Sequence, residues 1–179
     1  MGAWGITALE SDTGLDILGF VREHLPDSGN AELSKLFGAM QKDDCRMYES
    51  NDGRSHTGPM TLAEILVKFL DRNIGDLDYS EEWAAQDNKF AALQSFIADK
   101  ESLAQLRDYI SETLGAARER AHGGRVWGGW FEEKDWQAWQ AHMEALVERL
   151  GGLLALPEEQ IQLVWAQEQI VAPAMEIQE

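Results

Sequence analysis

A chain of 179 residues and 20.1 kDa, 44% apolar and 26% charged, has the composition of a single globular domain, so a fibre or a wholly disordered chain is excluded. Size scaling buries about 70% of the unfolded surface of such a chain, so its core needs no metal, and Cys45, the lone cysteine, excludes a disulfide scaffold. The excess of 32 Asp and Glu over 15 Lys and Arg gives a formal charge of −17, which disfavours direct binding to nucleic acid or anionic lipid and favours solubility and a basic protein partner.

In chain order, residues 1–10 read as an ordered arm with two glycines around Trp4. Ser11 or Asp12 is positioned to cap a first helix to about Leu25, with Leu15, Leu18, Val21 and Leu25 on one face. Pro26 to Gly29 break it, and a second helix over about 30–42 buries Leu33, Leu36, Phe37 and Met40. Residues 43–60 form a long polar loop, with a short possible strand at Cys45–Tyr48. Thr61-Leu62-Ala63-Glu64 has the spacing of a capping box, opening a helix to about Arg72 with Leu62, Ile65, Leu66 and Phe69 inward. Ser80 opens a further helix carrying Trp83, Phe90, Leu93 and Ile97.

Ser102 starts the next helix, with Leu103, Leu106, Ile110 and Leu114 in one stripe. Arg118, Arg120 and His122 complement its C-terminal dipole. Gly123-Gly124 end it. The cleanest periodicity follows, in Trp136, Trp139, Met143, Leu146, Val147 and Leu150, with Gly151-Gly152 as its stop. Pro157 suits the first position of a last helix bearing Ile161, Val164 and Trp165. The pattern predicts a mainly α fold, an irregular bundle of six or seven helices with little or no β-structure. It forms one domain over 1–172, with a flexible tail at 173–179.

No enzyme constellation stands out. P-loop, dinucleotide-binding and nucleophile-elbow motifs are missing. His24, His56, His122 and His142 are far apart, so no metal or other cofactor is expected. Asp43 and Asp44 beside Cys45 disfavour its thiolate, and the Glu49–Gly53 loop misses calcium-loop spacing. The expectation is a binding protein rather than an enzyme. Asp76, Asp78, Glu81, Glu82 and Asp87 form an acidic run with no Lys or Arg between them, either a solvated face or the contact for a basic partner. Five Glu and no basic residue follow Gly151. Trp127 and Trp130, in a glycine-flanked segment, are candidate partner anchors, or else fold back over the bundle. No targeting signal or membrane span is evident, and the expected location is the cytoplasm.

The opening Met1-Gly2-Ala3-Trp4-Gly5-Ile6-Thr7-Ala8-Leu9-Glu10-Ser11-Asp12-Thr13-Gly14-Leu15-Asp16 resembles the start of a bacterial family of domains of unknown function with a Met-Gly-x-Trp-Gly start. Some members resemble immunity proteins of polymorphic toxins. The resemblance covers about the first twenty residues and supplies no catalytic motif. It implies an immunity protein that binds a cognate toxin and occludes its active site. The alternatives are an enzyme with dispersed site residues and an acidic nucleic-acid mimic that blocks a DNA-binding protein. Within the opening, Trp4 is expected to pin the arm to the bundle and Asp12 to cap the first helix.

Overall fold

A computed structural model describes residues 3–43, 57–78, 88–124, 130 and 132–163. The fold is mainly helical, with helices α1 (Asp12–His24), α2 (Leu33–Gln41), α3 (Thr57–Leu70), α4 (Lys100–His122) and α5 (Glu133–Leu154). Strands β1 (Asn30–Glu32), β2 (Ser95–Asp99) and β3 (Gln160–Leu163) add a small sheet, and 3₁₀ turns lie at Ala8–Glu10 and Gly75–Leu77. Among the described residues there are therefore five α-helices where six or seven were expected, and a three-stranded sheet where little or no β-structure was expected.

Helix α3 lies at the centre. Every residue from Gly58 to Leu66 is buried, together with Phe69 and Leu70. A helix apolar on all sides can only be a core helix, and the others pack around it. Thr61 is not the helix cap that its spacing suggested. It lies one turn inside, and its hydroxyl donates to the Thr57 carbonyl at 2.8 Å. Helices α4 and α5 form the most extensive helix pair. Their apolar seam contains Leu103, Leu106, Ile110 and Leu114 facing Trp136, Trp139, Met143, Leu146 and Leu150, all buried as their periodicity requires. Outside the seam, Arg118 of α4 holds Gln140 and Glu144 of α5.

The sheet has the order β1-β2-β3, with β1 parallel and β3 antiparallel to β2. The register pairs Ala31 with Phe96 and Phe96 with Leu163, and Ala98 with Ile161. These five side chains are buried, and Phe96 meets Phe69 of α3 edge-on at 5.6 Å. Of the helix expected from Ser80, residues 80–87 with Trp83 lie outside the described residues; the described part is not helical, because Phe90 lies in a turn, Leu93 follows it and Ile97 lies in β2. The buried positions of β2 alternate, at Phe96 and Ala98, and a period of two belongs to a strand. The helix expected from Pro157 fails over its described part for the same reason, since Ile161 and Leu163 alternate inward; Val164 and Trp165 lie outside the described residues. Gly29 makes the entry to β1 possible. Its φ is +72°, a Cβ there would lie 2.7 Å from the Ala92 carbonyl, and its own carbonyl accepts from the Gln94 and Ser95 amides.

Gly151-Gly152 do not end α5, which runs on to Leu154. Ser11 rather than Asp12 caps α1, accepting from the Gly14 amide at 3.0 Å. The possible strand at Cys45–Tyr48, most of the 43–60 loop and the 173–179 tail lie outside the described residues.

Three substitutions test this packing by urea denaturation. Trp139→Ala is expected to cost about 3–5 kcal/mol. Gly29→Ala should cost more than about 1 kcal/mol, through φ and contact together. Gly152→Ala, in a helix with open space around the new methyl, should instead gain about 0.5–1 kcal/mol.

Candidate functional site

A carboxylate inside the core organises the N-terminal end of the molecule. Glu64 is only 5% exposed on the buried helix α3. Its Oε1 accepts from the Ala8 amide at 2.8 Å and its Oε2 from the Leu9 amide at 3.1 Å. These amides open the Ala8–Glu10 turn, so Glu64 caps it from 55 and 56 residues away in sequence. His142 of α5 lies with Nε2 2.7 Å from Oε1. An ionised carboxylate only accepts, so the network assigns the His142 proton to Nε2. Both carboxylate oxygens are engaged by the fold, and the Glu64–His142 pair acts as a latch joining the arm, α3 and α5.

The arm is ordered locally as well. The Trp4 amide donates to the Glu10 carbonyl at 3.0 Å, and Ala3 bridges Ser11. The Thr7 amide and hydroxyl each donate to Glu10 Oε2 at 3.1 Å. At Gly14 a Cβ would lie 1.7 Å from the Ala8 carbonyl, so only glycine lets the arm approach α1 so closely. Trp4 does not pin the arm. It is 60% exposed, while Ala8 is buried and Ile6 and Leu9 pack on the core. Hydrogen bonds to Glu64 and Glu10 do the pinning, leaving the indole in solvent.

The acidic run expected to meet a partner divides. Asp76 pairs with Lys68 at 2.8 Å and stays 49% exposed. Asp78 faces inward with a side chain 6% exposed, accepting from the Phe90 and Ala91 amides at 3.2 and 2.7 Å with Arg22 at 3.9 Å. It fastens the 88–93 turns to the Gly75–Leu77 segment and is no outward-reaching charge. The run had no cation within it, but Lys68 and Arg22 reach it from other elements. Glu81, Glu82 and Asp87 lie outside the described residues, as does Trp127. Trp130 is partly buried, its ring 6.3 Å from Trp139, which stacks on Trp136 at 5.5 Å. Trp130 thus covers the bundle, the alternative to an anchor.

Exposed carboxylates occur on several elements, Glu119, Glu148 and Glu158 among them, and one line of them runs along α1. Asp12, Asp16 and Glu23 are exposed and fall within about 40° of one helical stripe. Arg22, the one Lys or Arg in α1, is buried. Asp12 suits the first turn, but like charges at i, i+4 destabilise a helix and Glu23 in the last turn opposes the dipole, so Asp16 and Glu23 run against local preference. Beside the stripe α1 faces α2 across an open groove of about 500 Å³, lined by Phe20 stacked on His24 and by Lys35, Lys42 and Asp43 among others. Among the described residues no three His, Cys, Asp or Glu are grouped to hold a metal, and no helix is long and apolar enough to cross a membrane. Comparison with known protein families, curated proteins and solved structures finds no match to this chain.

Replacing Glu64 with Gln keeps its volume but turns an N–H toward backbone donors. A loss of about 2–4 kcal/mol is expected in urea denaturation. His142→Ala, removing a partly exposed partner, should cost less. Two other carboxyls give a pH dependence. The Thr7 amide holds Glu10 below its ordinary value against the opposing effect of burial, with help from the Thr7 hydroxyl and the His142 charge. Burial pushes Asp99 up, but the Ser102 amide and hydroxyl outweigh it and leave Asp99 lowered. Lowered folded values mean that both contributions are complete above the unfolded values of 4.5 and 3.8 and are lost as pH falls through the folded ones. Acid titration followed by Trp fluorescence should therefore show the arm and the start of α4 holding at pH 6 and loosening below about pH 4.

Proposed function

We propose that this chain is an acidic binding protein which neutralises a bacterial toxin by covering the cationic surroundings of the toxin's active site. The observation that carries the reading is the α1 stripe of Asp12, Asp16 and Glu23, kept outward while the helix's one arginine is turned inward. Asp12 in the first turn suits the helix dipole, but Asp16 repels Asp12 from i+4 and Glu23 opposes the dipole in the last turn, so these two carboxylates gain the helix nothing in stability. It does gain a directed negative field, which accelerates encounter with a cationic surface and disfavours wrong partners. The resemblance of residues 1–16 to family members that look like immunity proteins supports the toxin as the partner class. The net charge of −17 acts in the same direction. The proposed contact is on α1 rather than at Asp76 and Asp78, whose carboxylates Lys68 and the Phe90 and Ala91 amides already engage.

Two experiments test the reading. Co-expression with a toxin encoded beside this chain should restore growth and yield a stable complex. Failure of both contradicts the proposal. With that complex in hand, Asp16→Asn with Glu23→Gln should slow association several-fold at low salt and flatten its salt dependence, with little change in dissociation.

A further inference from the structure

Among the described residues, two large apolar side chains are exposed, and one is Trp4, at 60%. The other three described tryptophans, Trp130, Trp136 and Trp139, gather in one cluster against the core. Trp4 is therefore the exception, and it sits on one of the most densely tied segments of the chain. The Glu10 carbonyl holds its amide, the Ala3–Ser11 bridge closes the loop, and Glu64 anchors Ala8 and Leu9. Even Gly5 beside it is confined, since a Cβ would lie 2.2 Å from the Glu10 carboxyl. A rigid loop that holds a solvated indole loses little freedom when a partner covers the ring. The same bridge sets Ala3, the residue before Trp4, beside Ser11, the cap of α1, and the acidic stripe begins at the next residue, Asp12.

We infer that Trp4 is the anchor of the binding surface, stacking its ring on an arginine of the cationic protein partner while the α1 carboxylates engage the charges around it. The inference rests on the basic-partner reading and adds the place and chemistry of contact. Arginine is favoured over lysine because a planar guanidinium both stacks on an indole and pairs with a carboxylate. Tryptophan and arginine are also the residues that dominate interface energetics.

The test uses nona-arginine and nona-lysine peptides, labelled for anisotropy, against the full chain at fixed ionic strength. The wild type should bind nona-arginine more tightly. Trp4→Ala should lose about three- to fivefold in affinity for nona-arginine, with nona-lysine nearly unchanged. Trp4→Phe should keep part of the preference, and the Trp4 indole N–H resonance should shift with nona-arginine. Because the ring is exposed, unchanged urea midpoints are expected for both variants. Equal binding of each peptide by wild type and Trp4→Ala, with the resonance unmoved, would overturn the anchor and leave the basic-partner reading standing. Failure of the wild type to bind either peptide would overturn both.

Discussion

A carboxylate buried on an otherwise apolar helix must find hydrogen-bond donors or destabilise the fold, and Glu64 is such a group. A buried acceptor left without partners costs about 1–3 kcal/mol and more when charged, a large part of the marginal stability of any domain. Glu64 is satisfied only when the Ala8–Glu10 turn lies across α3 and His142 of α5 comes alongside. One residue thus sets the arm's register against two helices. That register then delivers Ser11 to the start of α1 and brings the Ala8 carbonyl against Gly14. The direction of α1, and so of its outward stripe, follows from a polar contact in the core.

The acidic excess has two physical uses. Some carboxylates hold the backbone. Glu64 caps a turn from a distance, Asp78 clamps the 88–93 turns, Asp99 caps α4 and Glu10 closes the arm. Each accepts from main-chain amides that would otherwise lack a partner. Others, Asp16 and Glu23 among them, stand in solvent and add only field. In the proposed mechanism the first group makes the second effective, because a rigid arm and a fixed helix present charge and indole together. Binding then orders little that was not ordered before.

Where one period dominated, the sequence was readable. The α5 stripe from Trp136 to Leu150 and the α4 stripe from Leu103 to Leu114 are buried as their spacing requires. Short segments were not readable in the same way. Phe90 and Leu93 are buried as helical spacing asks, but in β2 Phe96 and Ala98 turn inward instead of Ile97, because β2 gains pairing partners from β1 and β3 that no local pattern reveals. The site was obscured for a related reason. Thr61 and Glu64 have capping-box spacing, but the amides that Glu64 caps belong to Ala8 and Leu9. One signal was available: a Glu within Leu62-Ala63-Glu64-Ile65-Leu66, in a helix apolar on every side, has to reach a distant donor. Likewise Asp78 looked like part of an unneutralised run until Arg22 and the Phe90 and Ala91 amides reached it from elsewhere.

The dependence of the arm on the buried carboxylate is open to direct measurement by native-state hydrogen exchange in the wild-type protein. The Ala8 and Leu9 amides have no backbone acceptor of their own in the turn they begin, so any protection must come from Glu64. Slow exchange at both, comparable with buried amides of α3, is the expected result. Exchange at the rate of an open chain, with α3 still protected, would contradict the latch and everything placed by it.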